Sequence, residues 1–302
     1  MKEEQPSNNP GGPRVNQLAK LVPAPIRYAY IFIWDVWNRG AAERVGLIAA
    51  GVAFWGVFGL FPALTALIAL FGLLADPMVV QNQLILAHDF LPPGAYELVA
   101  DQVTRLVEPG PRTLGWATIV STGVALWSAR AGVGALAEGL NAVQGTGSRN
   151  GFVHIMVAML MTIAMVGITM VGLLVTILVP IIVLIFQPPG NVATLLEFMR
   201  WVVMLTSVLI ALGLLYRYGP SRRRGLRFSW ITPGSVIVLV LWLGVSYLFS
   251  LYVGNFGNYN EVYGSIGAVI ALMMWLYISA FLVLLGGALN AEIAARRGAA
   301  VI

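Results

Sequence analysis

The sequence predicts an all-α polytopic integral membrane protein with six transmembrane helices, both termini cytoplasmic, and a small extracytoplasmic helical hairpin between spans 1 and 2. Three observations lead there. Of 302 residues, 59% are hydrophobic and 10% charged, against roughly 25% charged in a soluble domain, so much of the chain never meets water. From Gly264 to Leu289 the chain carries no charge at all, and a helix of ~20 residues already crosses a bilayer. Taking the six apolar runs as spans, six basic residues precede the first run and Arg149 lies between the second and third. Five arginines from Arg217 to Arg227 lie between the fourth and fifth, and Arg296 and Arg297 follow the sixth. These are fourteen of the eighteen lysines and arginines. Basic residues mark the cytosolic side of a membrane protein, so both termini are expected there.

The N-terminal tail, residues 1–14, is polar and proline-rich, with no apolar core of a signal peptide, and is expected to be disordered. Residues 15–45 alternate aromatic and charged side chains. Ile26, Tyr30, Ile33, Trp34 and Trp37 share one helical face, the pattern of an amphipathic helix lying in the membrane interface; a solvated juxtamembrane linker is the plainer reading. The membrane domain is placed at 46–292, followed by a short cytoplasmic tail, 293–302. Span 1, about 46–75, is long for a ~30 Å hydrocarbon core and holds a candidate kink at Pro62. Its residues Gly46, Ala49, Ala50 and Ala53 form a small face against which another helix can pack closely. Two short amphipathic runs around Pro92, Pro93 and Gly94 read as the extracytoplasmic hairpin. Span 2, about 114–143, is the most polar. Spans 3 (152–186) and 4 (197–216) are separated by the turn at Gln187–Asn191. Span 5 (231–253) opens with Thr232-Pro233-Gly234, a helix entry, and span 6 covers 264–290.

The candidate functional residues sit mainly in spans 2 and 6. With about 100° per residue, Gly123, Arg130, Gly134, Ala137, Glu138 and Asn141 fall within an arc of about 100°, a polar stripe suited to protein or water rather than lipid. An ionised group inside a span costs roughly 2.5–3.5 kcal/mol on insertion scales. Arg130 and Glu138 therefore either line a substrate or proton path or snorkel to the cytosolic interface. Eight residues of rise, about 12 Å, keeps them from pairing easily with one another. Asn141 and Asn290 end spans 2 and 6 in matching Leu-Asn-Ala contexts. They are expected at the same face, as a hydrogen-bonded pair or a small polar site, or else as helix C-caps or interhelical glue. Tyr263 and Ser265, in the loop before span 6, are candidates for an outer gate or ligand platform; a tight structural turn is the alternative.

Catalytic chemistry has little to stand on. The chain has no cysteine and two histidines, His88 and His154, which fall on opposite sides of the predicted membrane. The acids Asp76, Asp89, Glu97, Asp101 and Glu108 are spread along one surface loop rather than gathered for metal ions. No cofactor, metal or nucleic-acid partner is expected. The run Arg222-Arg223-Arg224 reads as a topology determinant and an anionic-lipid contact, with membrane lipids the expected partners.

The order and spacing of several blocks resemble a known family. Span 1 reads RVGLIAAGVAFWGVFGLFPALTALIAL, and span 2 carries Trp127-Ser128 and ends in Leu140-Asn141. The late block holds Gly234, Trp242, Tyr259-Asn260, Tyr263-Gly264-Ser265-Ile266-Gly267, Trp275-Leu276-Tyr277 and Leu285-Gly286 before Leu289-Asn290. Together these are similar to the YihY/virulence factor BrkB family of bacterial inner-membrane proteins, over about Gly46 to Glu292. The resemblance implies six spans and offers no catalytic or ligand residues to carry over. Some members bear the old label ribonuclease BN, which a chain without a nuclease site does not support. Phe54-Trp55 stands where many relatives have tyrosines. The functional expectation is a transporter, exporter or flippase-like permease with a path through spans 1, 2, 5 and 6. The alternative is a non-transporting protein that supports the envelope or scaffolds partners.

Overall fold

In hydrocarbon a chain must satisfy its backbone within each spanning segment, and a charge-poor run does so as a helix. The computed structural model describes residues 24–74, 114–147, 149–221, 230–255 and 265–299. Their regular structure is all helical: α1 (Ala24–Ala42), α2 (Val45–Leu74), α3 (Leu114–Gln144), α4 (Gly151–Phe186), α5 (Gly190–Tyr218), α6 (Pro233–Asn255) and α7 (Ser265–Ala299). The fold class is therefore that of an all-α polytopic membrane protein. Five helices, α3 to α7, are long and apolar enough to cross a membrane, and α1 with α2 form a bent pair that brings the number to six if counted as one span. The expected hairpin at 76–112, the tail before residue 24 and the triple arginine at 222–224 lie outside the described residues.

The junction of α1 and α2 turns the chain by 62°. Arg44 makes the turn with a φ of 51°, a left-handed conformation that ends a helix but is costly for a residue with a Cβ. Along α1, Phe32, Asp35, Val36, Arg39 and Gly40 turn toward the bundle, at the spacing of one helical face. The face bearing Ile26, Tyr30, Ile33, Trp34 and Trp37 is exposed. Trp37 still meets the last helix edge-on, 6.2 Å from Phe281.

One end of the bundle gathers the starts of α2, α4 and α6 and the ends of α3, α5 and α7. Arg39, Arg44, Arg149, Arg217 and Arg296 belong to it, and we refer to it as the basic end. The buried side chains concentrate in this half: Val45, Ala49 and Ala53 of α2; Leu140 and Val143 of α3; Ala158 and Met161 of α4. Leu212, Leu215 and Tyr216 of α5, Val238 of α6, and Leu284 and Ala288 of α7 complete it. Glycines let the helices close up here. A Cβ at Gly286 would overlap Tyr216 Oη and Val238 Cγ2, and one at Gly139 would stand 2.7 Å from Leu284 Cδ2.

Candidate functional site: Arg130 and the polar stripe of α3

Two sets of helices remain in contact along their lengths. In the first, α2 packs on α3 at Gly59 against Ser128, at Gly132 against Trp55 and at Gly139 against Ile48. The same set includes α7, which meets α2 at Gly56 against Leu276. It also includes α6, joined to α7 by two reciprocal bonds: Trp242 Nε1 donates to Ser279 Oγ at 3.0 Å, and Trp275 Nε1 to Ser246 Oγ at 3.3 Å. The second set is the α4–α5 hairpin, which packs on itself, with Gly172 facing Ser207 at 3.6 Å.

The contacts joining the two sets lie at the basic end. Gly134 of α3 faces His154 and Ala158 of α4, and Gly219, just past α5, faces Leu140 of α3. Tyr216 Oη donates to the Val283 carbonyl at 2.8 Å. Among the described residues none of α5 from 190 to 211 is buried, nor any of α4 from 163 to 171, whereas Gly172 and Val179 of α4 are. In the same half 119–127 of α3 and 240–253 of α6 are likewise without a buried residue. The Cβ positions of Gly123, Gly167 and Gly244 meet nothing within 4 Å. The described faces of this half are apolar and exposed, as the lipid-facing surfaces of membrane helices are.

Arg130 stands at the edge of the densely buried half. It lies one turn beyond Gly134, on the face of α3 that meets α4. Its guanidinium does not reach back to the basic end. It extends one turn the other way, over the exposed ring of Trp127 at 4.4 Å. Of the two readings of its charge, snorkelling to the basic interface is therefore not what the side chain does. Arg130 Nε is buried without a hydrogen-bond partner, and no carboxylate among the described residues pairs with it. Cation–π attraction to Trp127, worth ~0.5–2 kcal/mol, is its visible compensation.

The other candidates go elsewhere. Glu138 is exposed, with a carboxylate oxygen 3.7 Å from His154 Nε2. It lies two turns from Arg130. Asn141 and Asn290 do not bond to one another. Asn141 Oδ1 accepts from the Ser221 backbone N–H at 2.5 Å and from Thr146 Oγ1 at 2.9 Å. Asn290 Oδ1 accepts from the Gly234 N–H at 2.9 Å, and its Nδ2 donates to Thr232 Oγ1 at 2.9 Å. The two asparagines hold the two ends of the segment that joins α5 to α6. Thr232 and Ser235 complete the entry to α6 by bonding each other's backbone N–H, a reciprocal N-terminal cap. Ser265 opens α7, and Tyr263 lies outside the described residues.

Sequence reasoning missed a polar group at the basic end. Glu292 accepts from Arg39 Nη2 at 3.1 Å and Arg296 Nε at 2.9 Å, and Arg296 Nη2 reaches Asp35 at 2.7 Å. This ties α1 to the end of α7. The signal was present, in charges spaced four apart on α1 and on α7, but their meeting across 250 residues is tertiary. Among the described residues, no three His, Asp or Glu side chains come together as a metal site.

Comparison with known proteins agrees with this architecture. The chain is 30% identical over 281 residues to the Bacillus subtilis (strain 168) protein YfkH, named ribonuclease-like, covering 88% of this chain and 96% of that one. It is 34% identical over 103 residues to a UPF0761 membrane protein of Xanthomonas oryzae pv. oryzae (strain PXO99A), covering 34% of this chain and 24% of that protein. UPF0761 membrane protein IL2447 of Idiomarina loihiensis is 30% identical over 97 residues, 32% of this chain and 34% of that one. No solved structure matches. The virulence factor BrkB family matches residues 36–301. With nearly the whole helical region inside that match, the chain is a multi-pass bacterial membrane protein and belongs to the virulence factor BrkB family.

Proposed function

We propose that this protein is a flippase-like or exporter-type permease of the bacterial cytoplasmic membrane, with the basic end in the cytosol. The observation that carries the reading is Arg130 itself, a cation within a spanning helix whose Nε is buried without an acceptor and which no carboxylate among the described residues pairs. Such residues mark substrate and ion pathways, and transporters place their sites near the bilayer midplane. Arg130 fits that depth: it lies eleven residues before Asn141, about 16 Å of helix rise from the basic end. The positive-inside rule supports the orientation. The reading is non-enzymatic; the ribonuclease-like name of YfkH describes that protein, and among the described residues no three His, Asp or Glu side chains gather as ligands for metal-dependent phosphodiester cleavage.

The test compares Arg130→Gln and Arg130→Lys with wild type in a strain that depends on the protein, with abundance and melting temperature measured in parallel. Arg130→Gln is expected to fold at normal abundance and fail to complement. Arg130→Lys should complement in part, since the charge survives and the planar fork does not. Full complementation by Arg130→Gln would overturn the permease reading and favour a scaffolding role. The orientation has its own check, because the chain has no native cysteine. A cysteine at 191 should react with an impermeant thiol reagent on intact cells and one at 147 should not; the reverse would invert the protein.

A further inference from the structure

We propose that α1 is not the first leg of a span but a helix docked in the headgroup–acyl boundary of the bilayer at the basic end, its aromatic face against lipid. The proposal concerns the surface of the protein and stands or falls apart from the permease reading. A helix on a soluble protein turns its apolar face inward and its charges outward; α1 does the reverse. Asp35 and Arg39 turn to the protein, where they pair with Arg296 and Glu292. Ile26, Tyr30, Ile33, Trp34 and Trp37 turn outward, each at least 43% exposed, with the rings of Tyr30 and Trp34 stacked at 6.4 Å. Such a face needs an apolar medium within reach of charged groups, and the membrane interface is one.

The level of α1 is set by α7. From Ser265 to Leu289 that helix carries no charge, and Asn290, Glu292, Arg296 and Arg297 follow, so the edge of the hydrocarbon falls near Asn290. α1 crosses α7 at this edge. On the membrane side Gly40 stands against Leu285 and Trp37 meets Phe281; on the aqueous side Arg39 and Asp35 hold Glu292 and Arg296. Tryptophan and tyrosine concentrate in that layer of membrane proteins. The direction of α1 agrees. α2 runs along α3, from Ile48 against Gly139 to Gly59 against Ser128, and so follows a spanning helix. The 62° turn between α1 and α2 leaves α1 about 30° from the membrane plane for an upright α2. Its 19 residues then rise by only ~14 Å, short of the ~30 Å core. The 30 residues of α2 are enough to make the first crossing alone. A second copy of the chain could also cover the rings, but it would need a matching surface, whereas the boundary layer already surrounds the protein at this level.

The experiment uses the full chain in vesicles of phosphatidylglycerol and phosphatidylcholine. With no native cysteine, a nitroxide can be attached at one position at a time. Ile33→Cys reports the aromatic face and Asn38→Cys the polar flank; both positions are exposed, so neither label disturbs the packing. Power saturation compares access of oxygen, which concentrates in lipid, with access of a water-soluble nickel chelate. Position 33 should favour oxygen at a depth of about 5–10 Å, and nickel access at position 38 should exceed that at 33 at least about threefold, as for a helix lying in the interface. Equal nickel access at the two positions would make α1 a solvated linker and overturn the proposal. A depth near the bilayer centre at position 33 would make α1 part of the first span and overturn it too. Low access of both reagents at position 33, with spin–spin broadening that disappears on dilution with unlabelled protein, would place a second copy over the rings. That result would also overturn the lipid assignment.

Discussion

Asn290→Ala should destabilise the protein by about 2–4 kcal/mol. Asn290 is 4% exposed, and its amide serves two partners at once, the Gly234 N–H and Thr232 Oγ1, both at 2.9 Å. The Gly234 N–H belongs to the first turn of α6, where no carbonyl of the helix can reach it. Truncation strands this buried donor, at roughly 1–3 kcal/mol. It also removes the amide–hydroxyl bond, worth about 0.5–1.5 kcal/mol. The measurement is reversible unfolding in mixed micelles, followed by tryptophan fluorescence. Thr232→Val serves as a second arm: it leaves the Gly234 bond in place but strands the Ser235 N–H and Asn290 Nδ2, both of which Thr232 Oγ1 receives, and should lose a similar amount. Equal midpoints for wild type and Asn290→Ala would refute the assignment of Asn290 as the anchor of α6.

The close-packed and open halves should respond oppositely to added volume. Gly286→Leu, which meets Tyr216 and Val238, is expected to cost at least ~1–3 kcal/mol, whereas Gly123→Ala, with open space around it, should leave the unfolding midpoint within error of wild type. At the basic end, Glu292→Ala leaves Arg39 and Arg296 without their shared acceptor. Charge-assisted bonds of this kind are worth ~1.5–3 kcal/mol when buried and less where solvent screens them, and Glu292 is the shielded member of the group. A loss of ~1–2 kcal/mol is expected, with faster proteolysis within α1 than in wild type; a protease pattern identical to wild type would show that α1 does not depend on this tie.

The sequence by itself determined that the chain lives in a membrane and folds as helices. Long charge-poor runs leave the backbone no other way to satisfy its hydrogen bonds, and that requirement is local. It also determined which residues were conspicuous: Arg130 stood out because a cation in an apolar helix is costly wherever the helix lies. Helical spacing put Arg130, Gly134, Glu138 and Asn141 on one stripe, and the structure uses that stripe, but for different ends: Gly134 for the approach of α4, Asn141 for the backbone after α5. Which partner each would meet was beyond periodicity, because spacing along a helix sets direction and leaves distance to other elements free. The matching Leu-Asn-Ala endings invited a pair of asparagines. Tertiary structure instead set each against a backbone N–H at one end of the α5–α6 connection, since an unsatisfied N–H at a helix end is a stronger claim on a buried amide than another amide. The same holds for the close-packed half. Apolar side chains facing lipid and apolar side chains facing another helix are written alike in sequence, and only the packing at glycines such as Gly139 and Gly286 decides which are covered.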